Sequence, residues 1–158
     1  TESIAFPFTR YLPLHPALEI GLTMKQVEQE KSVRQWNGYA GWYYHEKIEN
    51  GVYLRAEYLY GQKLGSFLRV DAFGGLGYLH TFYPGTLLKI DPETGAIEKV
   101  PQYGRAHAIA NVGIGLVYRN QSRWEPFVKQ SLSVETPFAN GIPVMVHSFL
   151  QLGVNLKF

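Results

Sequence analysis

The sequence has no cysteine among its 158 residues. Disulfide scaffolds, thiolate metal sites and cysteine nucleophiles are therefore excluded. Charge is also scarce, because Asp, Glu, Lys and Arg together make up 18% of the chain, against roughly 25% in an average soluble domain. The 15 basic and 13 acidic residues are spread without a block and leave a formal net charge of +2. No concentrated basic face is offered to nucleic acid, so we expect no nucleic-acid partner.

Long hydrophobic runs are missing as well. The nearest, residues 106–118, is interrupted by Asn111 and two glycines and is shorter than the ~18 to 20 apolar residues that a membrane-spanning helix needs. A helical membrane protein is therefore excluded. The sequence begins with Thr1 rather than Met, which is compatible with a removed signal peptide or with a boundary chosen for expression.

Strict alternation of apolar and polar residues is what the sequence does contain. At its C-terminal end one parity holds His147, Gln151, Gly153, Asn155 and Lys157, and the other parity is apolar: Leu150, Leu152, Val154, Leu156 and Phe158. A period of two is typical of a β-strand with one apolar and one polar face. The 15% aromatic content, with 11 Tyr, also favours strands over helices.

The same alternation recurs along the chain and predicts seven long strands, at residues 18–25, 35–45, 52–60, 68–78, 105–118, 124–135 and 147–158. Most of these segments are about twice as long as the ~5 to 6 residues of an average globular strand. Their length matches the ~9 to 11 residues of a tilted strand that crosses a bilayer. Many such strands joined by short turns predict an up-and-down antiparallel barrel.

The two faces of these strands differ in a way that indicates which one is inside. The polar parity combines glycines with charges of both signs, a mixture that suits a crowded interior with paired charges. We therefore predict a lumen charge network of Glu19, Arg55, Glu57, Arg69, Asp71, Arg105 and Lys129. The apolar parity carries Trp and Tyr toward the strand ends, for example Trp42, Tyr60 and Trp124, as at a membrane interface. The apolar face should therefore point outward into lipid.

In these features the chain resembles the small eight-stranded outer-membrane β-barrel proteins of Gram-negative bacteria. The most specific element is the terminal strand with its closing Phe158, the form recognised by the outer-membrane insertion machinery. The resemblance implies one domain over residues 1–158, an eight-stranded antiparallel up-and-down transmembrane β-barrel in the bacterial outer membrane, with outer-membrane lipids around it. Because such barrels have an even strand number, we predict an eighth strand in "SIAFPFTR", where Ile4, Phe6 and Phe8 alternate with Ala5 and Thr9.

This topology sorts the connections into two groups. The turns at about 30–33, 62–66 and 119–123 fall on the periplasmic side, and the longer connections 10–16, 46–51, 81–103 and 137–144 fall outside, as in the family. Within the longest connection, "LLKIDPETGAIEKV" has a Pro-containing turn closed by Gly95. This pattern predicts an extracellular hairpin at about 81–103.

All five histidines map to the outer end under this topology: His15, His45, His80, His107 and His147. By parity, three of them point inward, and His80 does so only if a bulge near Gly74 shifts the phase. We therefore predict a ligand site at a mouth lined by His45, His80, His107 and His147. Imidazole suits a transition metal such as Zn, Cu, Ni or Fe, with Asp71 or Glu135 as oxygen ligands or acceptors.

Three functions are compatible with this pattern. The first is non-catalytic recognition, either of a ligand at the His-lined mouth or of a partner protein through the 81–103 loop, including service as an accessory subunit of a larger outer-membrane complex.

The second is a membrane-embedded lipid hydrolase or acyltransferase, which would require Ser and His to meet on one face. His147 and Ser148 are adjacent and point opposite ways, whereas Ser131 and Ser133 lie inside near Glu135. The third is a soluble ligand-binding barrel, which would expose Arg55, Arg69 and Arg105. Eight strands leave too little lumen for a general pore.

Overall fold

The computed structural model describes residues 2–3, 15–46, 48–86, 88–90, 92, 95–101, 103–120, 122–138 and 143–157. These residues form ten strands: β1 (Glu2–Ser3), β2 (Ala17–Glu28), β3 (Ser32–Tyr44), β4 (Asn50–Leu64), β5 (Leu68–Phe82), β6 (Leu88–Ile90), β7 (Ile97–Lys99), β8 (Arg105–Tyr118), β9 (Trp124–Thr136) and β10 (Met145–Leu156). Eight of them form one antiparallel sheet in the order β1-β10-β9-β8-β5-β4-β3-β2, curled into a half-barrel. The described residues include no helix long and apolar enough to cross a membrane.

The seven predicted long strands are confirmed as β2 to β5 and β8 to β10, each paired with its neighbour along the main sheet. Between β5 and β8, β6 pairs with β7 apart from the main sheet, within the range where the sequence predicts a hairpin. At the N-terminus, Glu2 and Ser3 pair with Phe149 and Ser148 of β10. The rest of the predicted first strand, with Ile4, Phe6 and Phe8, lies outside the described residues, as does Phe158.

The connections alternate between the two ends of the half-barrel. The ends of the strands that are joined by the β2–β3, β4–β5 and β8–β9 connections lie at one end, which we call the turn end. The strand ends joined by the β3–β4, β5–β8 and β9–β10 connections lie at the other, which we call the hairpin end because it carries β6 and β7. The longest connections therefore share one end, as the predicted topology requires.

The two faces of the sheet have opposite chemistry. Along β4, Tyr53, Arg55 and Glu57 are buried on the concave face, whereas the intervening residues are exposed on the convex face. The exposed convex side chains are mostly apolar on every long strand, among them Ile20, Leu54, Leu76, Ile114 and Leu152. The alternation in the sequence therefore assigns the faces correctly, with charge inside and hydrocarbon outside.

Concave side chains fill the interior in layers. Toward the hairpin end, an apolar cluster is formed by Tyr43, Tyr53, Leu79, Ile109 and Phe149. Tyr43 donates a hydrogen bond to Glu49 at 2.7 Å, and Tyr53 donates one to Glu19 at 2.7 Å. The two tyrosine hydroxyls therefore bind different carboxylates, and the apolar cluster lies between Glu49 and Glu19.

Glycines on the concave face make room for aromatic rings of the neighbouring strand. At Gly113, a Cβ atom would lie 2.4 Å from Phe73 Cζ and 2.5 Å from the backbone oxygen of Gln130. At Gly153, it would lie 2.4 Å from Phe127 Cζ. Such cross-strand covering of glycine by an aromatic ring is a known way to fix strand register. The glycines therefore have a packing role in the narrow interior.

Replacing Gly113 with alanine is expected to lower the free energy of unfolding by about 1 to 3 kcal/mol, because the added methyl group overpacks a site bounded by backbone. The matched control is Gly38→Ala, where the new Cβ meets no atom closer than 3.8 Å, from Met24. Urea unfolding followed by tryptophan fluorescence measures both. Equal stabilities for the two variants would contradict the packing role of Gly113.

Candidate functional site

The middle of the interior holds a charged network centred on Arg55. Its guanidinium lies 2.8 Å from Glu19 Oε2 on β2 and 3.6 Å from Glu57 Oε2 on its own strand. Asn111 of β8 donates a hydrogen bond to Glu57 at 3.1 Å, and Gln151 of β10 donates one to Glu19 at 3.2 Å. The Gln151 bond connects β10 with β2 across the interior, so the curl of the sheet brings these distant strands together.

The remaining buried charges also have partners. Arg69 makes a bidentate contact with Asp71, at 2.7 and 3.0 Å. Lys129 donates to the hydroxyl of Tyr39 at 3.3 Å, and its ammonium lies over the rings of Tyr39, Phe73 and Phe127. Six of the seven residues predicted for the lumen network therefore lie on the concave face: Glu19, Arg55, Glu57, Arg69, Asp71 and Lys129.

Arg105 is the exception, and its predicted place in the lumen network is corrected. It is the first residue of β8 and is exposed. Its pair with Thr81 is the last one between β5 and β8, so Arg105 stands at the rim of the hairpin end. A long guanidinium side chain at a rim reaches water and avoids the cost of desolvation.

The four predicted ligand histidines do not converge. β5 pairs with both neighbours without a register shift, so no bulge turns His80 inward. His80 lies on the convex face, where its ring nitrogens contact the Tyr78 hydroxyl at 2.8 Å and the Tyr103 carbonyl at 2.9 Å. His45 stacks on His15, with ring centroids 3.7 Å apart. Only His107 and His147 are buried together on the concave face.

His107 and His147 meet at one carboxylate, that of Glu135. His147 Nε2 lies 3.0 Å from Glu135 Oε2, and His107 Nδ1 lies 2.9 Å from Glu135 Oε1. The second contact is an electrostatic approach and not a hydrogen bond, because His107 Nδ1 is 2.5 Å from the carbonyl of Pro137. His107 Nε2 in turn contacts the Thr81 hydroxyl at 2.8 Å. Both ring nitrogens of His107 are thus engaged, and Glu135 Oε1 has no hydrogen bond with a described residue.

A second carboxylate, Glu49, completes the group. Its side chain comes from the connection between β3 and β4 and is buried beside Glu135 and His147. One ligand atom from each of these three residues lies within 4.8 Å of the other two. Burial raises the pKa of Glu49, and the negative charge of Glu135 acts in the same direction, against the hydrogen bond from Tyr43. We call Glu49, Glu135 and His147 the acid–histidine cluster.

The acid–histidine cluster was only partly foreseeable from sequence. Glu135 and His147 follow from strand parity, and Glu135 was among the predicted oxygen ligands. Asp71, the other predicted oxygen ligand, pairs with Arg69 instead. Glu49 lies in the predicted connection 46–51, where no periodicity indicates the direction of a side chain.

Among the described residues, the serines predicted as candidates do not form a nucleophilic site with His147. Ser148 lies on the opposite face from His147, as predicted, and accepts a hydrogen bond from Gln130 at 2.8 Å. Ser133 is directly opposite His147 on β9, but it is fully buried and its hydroxyl has no hydrogen bond with a described residue. A hydrolase needs a nucleophile that is bonded to its base and open to substrate. The geometry around Ser133 provides neither.

Comparison with models of known protein families, with curated proteins and with solved structures gave no match.

Proposed function

We propose that the chain closes into an eight-stranded transmembrane barrel of a Gram-negative outer membrane and acts there in recognition, without catalysing a reaction or conducting solutes. The observation that carries this proposal is the reversed chemistry of the two faces. Soluble proteins seldom expose apolar patches beyond a few hundred Å², whereas here apolar residues cover the convex side of every long strand. Arg55 and Arg69 are buried inside, against the expectation for a soluble barrel.

Exposed aromatic residues support a membrane location for the convex face. Trp42, Tyr44 and Tyr78 lie toward the hairpin end, and a second group with Tyr118 and Trp124 lies toward the turn end. Two such girdles bordering an apolar band are the pattern of outer-membrane barrels. Between the two groups the convex surface is apolar around Leu18, Ile20, Trp42, Leu54 and Tyr78, a surface that lipid acyl chains would cover.

The filled interior supports a role other than conduction. The apolar cluster and the charged network both occupy the lumen side of the sheet, and eight strands leave an interior that side chains can fill. Recognition would then take place at the hairpin end. There the β6–β7 hairpin exposes Leu88, Ile90 and Ile97, and the register sets Ile90 opposite Ile97, so one face of the hairpin offers apolar surface to a partner protein such as another outer-membrane subunit.

The test is refolding of the urea-denatured chain in the presence and absence of lipid vesicles. We expect folded protein to sediment with the vesicles and to resist extraction at high pH, while the chain aggregates without lipid or detergent. Planar bilayers containing the protein should show no channel conductance. A stable folded monomer in detergent-free buffer that ignores vesicles would overturn the membrane proposal, and steady channel currents would overturn the filled interior.

A further inference from the structure

The acid–histidine cluster is the one buried acidic group in the described interior without a permanent cation. No described Lys or Arg nitrogen lies within 4 Å of the Glu49 or Glu135 carboxylate, and the ion-pair contacts of Glu135 with described residues are those to His107 and His147. Both carboxylates are nevertheless removed from water. A buried carboxylate without compensation is costly, so this cluster is stabilised either by a proton on one carboxyl group or by a bound cation.

The other interior carboxylates show how this chain normally provides that charge. Glu19 and Glu57 contact Arg55, and Asp71 has a bidentate partner in Arg69. At the hairpin end the same need is met only by imidazoles. Neutral imidazole is a ligand for metal ions, whereas a guanidinium is not. The carboxylates beside Arg55 and Arg69 are already neutralised by a permanent charge. Those at the hairpin end lie beside histidines instead and can therefore bind a cation.

The positions of the donor atoms are compatible with a single ion. One atom each from Glu49, Glu135 and His147 lies within 4.8 Å of the other two, and bonds of about 2.0 to 2.2 Å to a central ion would draw them closer. Glu135 Oε1, although fully buried, has no hydrogen bond with a described residue. Its contact is with His107 Nδ1, so Oε2, at 3.0 Å from His147 Nε2, is the Glu135 oxygen that faces the cluster.

We propose that Glu49, Glu135 and His147 bind one divalent transition-metal ion, with Zn²⁺ as the best fit to one imidazole nitrogen and two carboxylate oxygens. The ion takes the place of the proton between His147 Nε2 and Glu135 Oε2 and leaves one tetrahedral position for water. Ca²⁺ and Mg²⁺ are disfavoured because they prefer all-oxygen sites. This site shares only His147 with the four-histidine mouth expected from the sequence.

His107 acts as a positioning residue in this site. Its ring is held by the Thr81 hydroxyl and the Pro137 carbonyl, and its Nδ1 lies against Glu135 Oε1. Groups that orient a ligand in this way typically affect metal affinity 10- to 100-fold. Substitution of His107 should therefore weaken binding without changing the number of ions bound.

The experiment is a calorimetric titration in which Zn²⁺ is added to the detergent-refolded protein after a chelator has removed its metal ions. We expect one Zn²⁺ per chain, a loss of affinity of at least roughly 100-fold in Glu135→Gln and in His147→Gln, and roughly 10- to 100-fold in His107→Gln. Co²⁺ should bind with the visible absorption of a four-coordinate ion. Ca²⁺ should produce no heat of binding.

Two matched controls separate the site from general effects. Glu125→Gln removes another buried carboxylate of β9, at the turn end where it pairs with Lys157, and His80→Asn removes an imidazole from the convex face. Both should bind Zn²⁺ as the unaltered chain does. If Glu135→Gln fails to fold, Glu49→Gln, which lies in a connection, provides the same measurement.

The inference is wrong if the unaltered chain binds no Zn²⁺, if the cluster variants bind as tightly as the controls, or if Ca²⁺ binds equally well. Vesicle insertion is measured on the same preparation, so that failure of the metal site can be distinguished from failure of the membrane proposal. A chain that inserts but binds no Zn²⁺ contradicts the site alone, and one that binds Zn²⁺ but stays soluble contradicts the membrane proposal alone.

Discussion

Replacement of Arg55 with methionine is expected to lower the free energy of unfolding by about 3 to 5 kcal/mol, because it leaves the buried Glu57 and the half-buried Glu19 without their guanidinium partner. Arg55 contacts Glu19 at 2.8 Å and Glu57 at 3.6 Å, and the Glu57 side chain is 0% exposed. Removing one partner of a buried ion pair costs more than the pair contributes, since the remaining charge stays desolvated. Reversible urea unfolding in detergent micelles measures the change.

Two further variants determine the origin of that loss. The triple variant Arg55→Met/Glu19→Gln/Glu57→Gln removes the stranded charges as well and should regain most of the lost stability. Arg119→Met is the surface control, because Arg119 lies 3.7 Å from a Glu28 carboxylate that is 49% exposed and keeps Lys63 as a second partner at 2.6 Å. It should cost less than about 1 kcal/mol. If Arg55→Met lowers the free energy of unfolding as little as Arg119→Met does, the charged network around Arg55 is not shielded from water.

The second large effect concerns the convex face. Leu76 lies near the middle of β5, is 71% exposed and faces away from the interior. If that face meets lipid, Leu76→Arg should cost about 2 to 4 kcal/mol, the penalty of an arginine near the bilayer midplane. In water the same substitution at an exposed site would change stability by no more than about 0.5 kcal/mol. Urea unfolding of the vesicle-inserted protein measures the difference.

Leu88→Arg is the matched control for Leu76→Arg. Leu88 is also an exposed leucine, but it lies in β6 of the hairpin, outside the main sheet. The substitution there should be nearly neutral. Equal costs for the two variants would contradict a lipid-facing convex surface, whereas a cost confined to Leu76 supports it.

Much of the fold follows from the sequence because the strands are long and their alternation is strict. Every residue of a two-faced strand indicates which face of that strand is buried, so one exception does not change the assignment of the faces. The pairs between β4 and β5 run without interruption from Asn50 to Leu64, as the patterns of both strands predict. The hairpin of β6 and β7 follows in the same way from its turn residues.

Departures from strict alternation account for what sequence could not provide. In β2 the register shifts between Thr23 and Lys25, so Met24 is an extra residue and Lys25 pairs with Trp36 on the convex face. Nothing in the local pattern marks this bulge, and the alternation alone places Lys25 inside. In β5 the reverse is found. His80 would point inward only if the strand had a bulge, and the pairing of β5 with its neighbours shows none.

The candidate site depends on contacts that a one-dimensional pattern does not contain. Strand parity indicates that His107 and His147 share a face, but their common partner Glu135 becomes evident only when β8, β9 and β10 are placed in register. Glu49 enters from a connection, where no periodicity exists to assign a direction. The four histidines predicted to line the mouth lie toward the hairpin end, where two of them, His107 and His147, are buried together on the concave face.

The apolar cluster at the hairpin end also lies between two hydrogen-bonded groups of the described interior. Protons pass along unbroken chains of hydrogen-bonded oxygen and nitrogen atoms, and the buried rings and aliphatic side chains of Leu79, Ile109 and Phe149 offer none. Although Tyr43 and Tyr53 belong to this cluster, each hydroxyl is committed to a glutamate on its own side. The apolar cluster therefore separates the hydrogen bonds of the acid–histidine cluster from those of the Arg55 network.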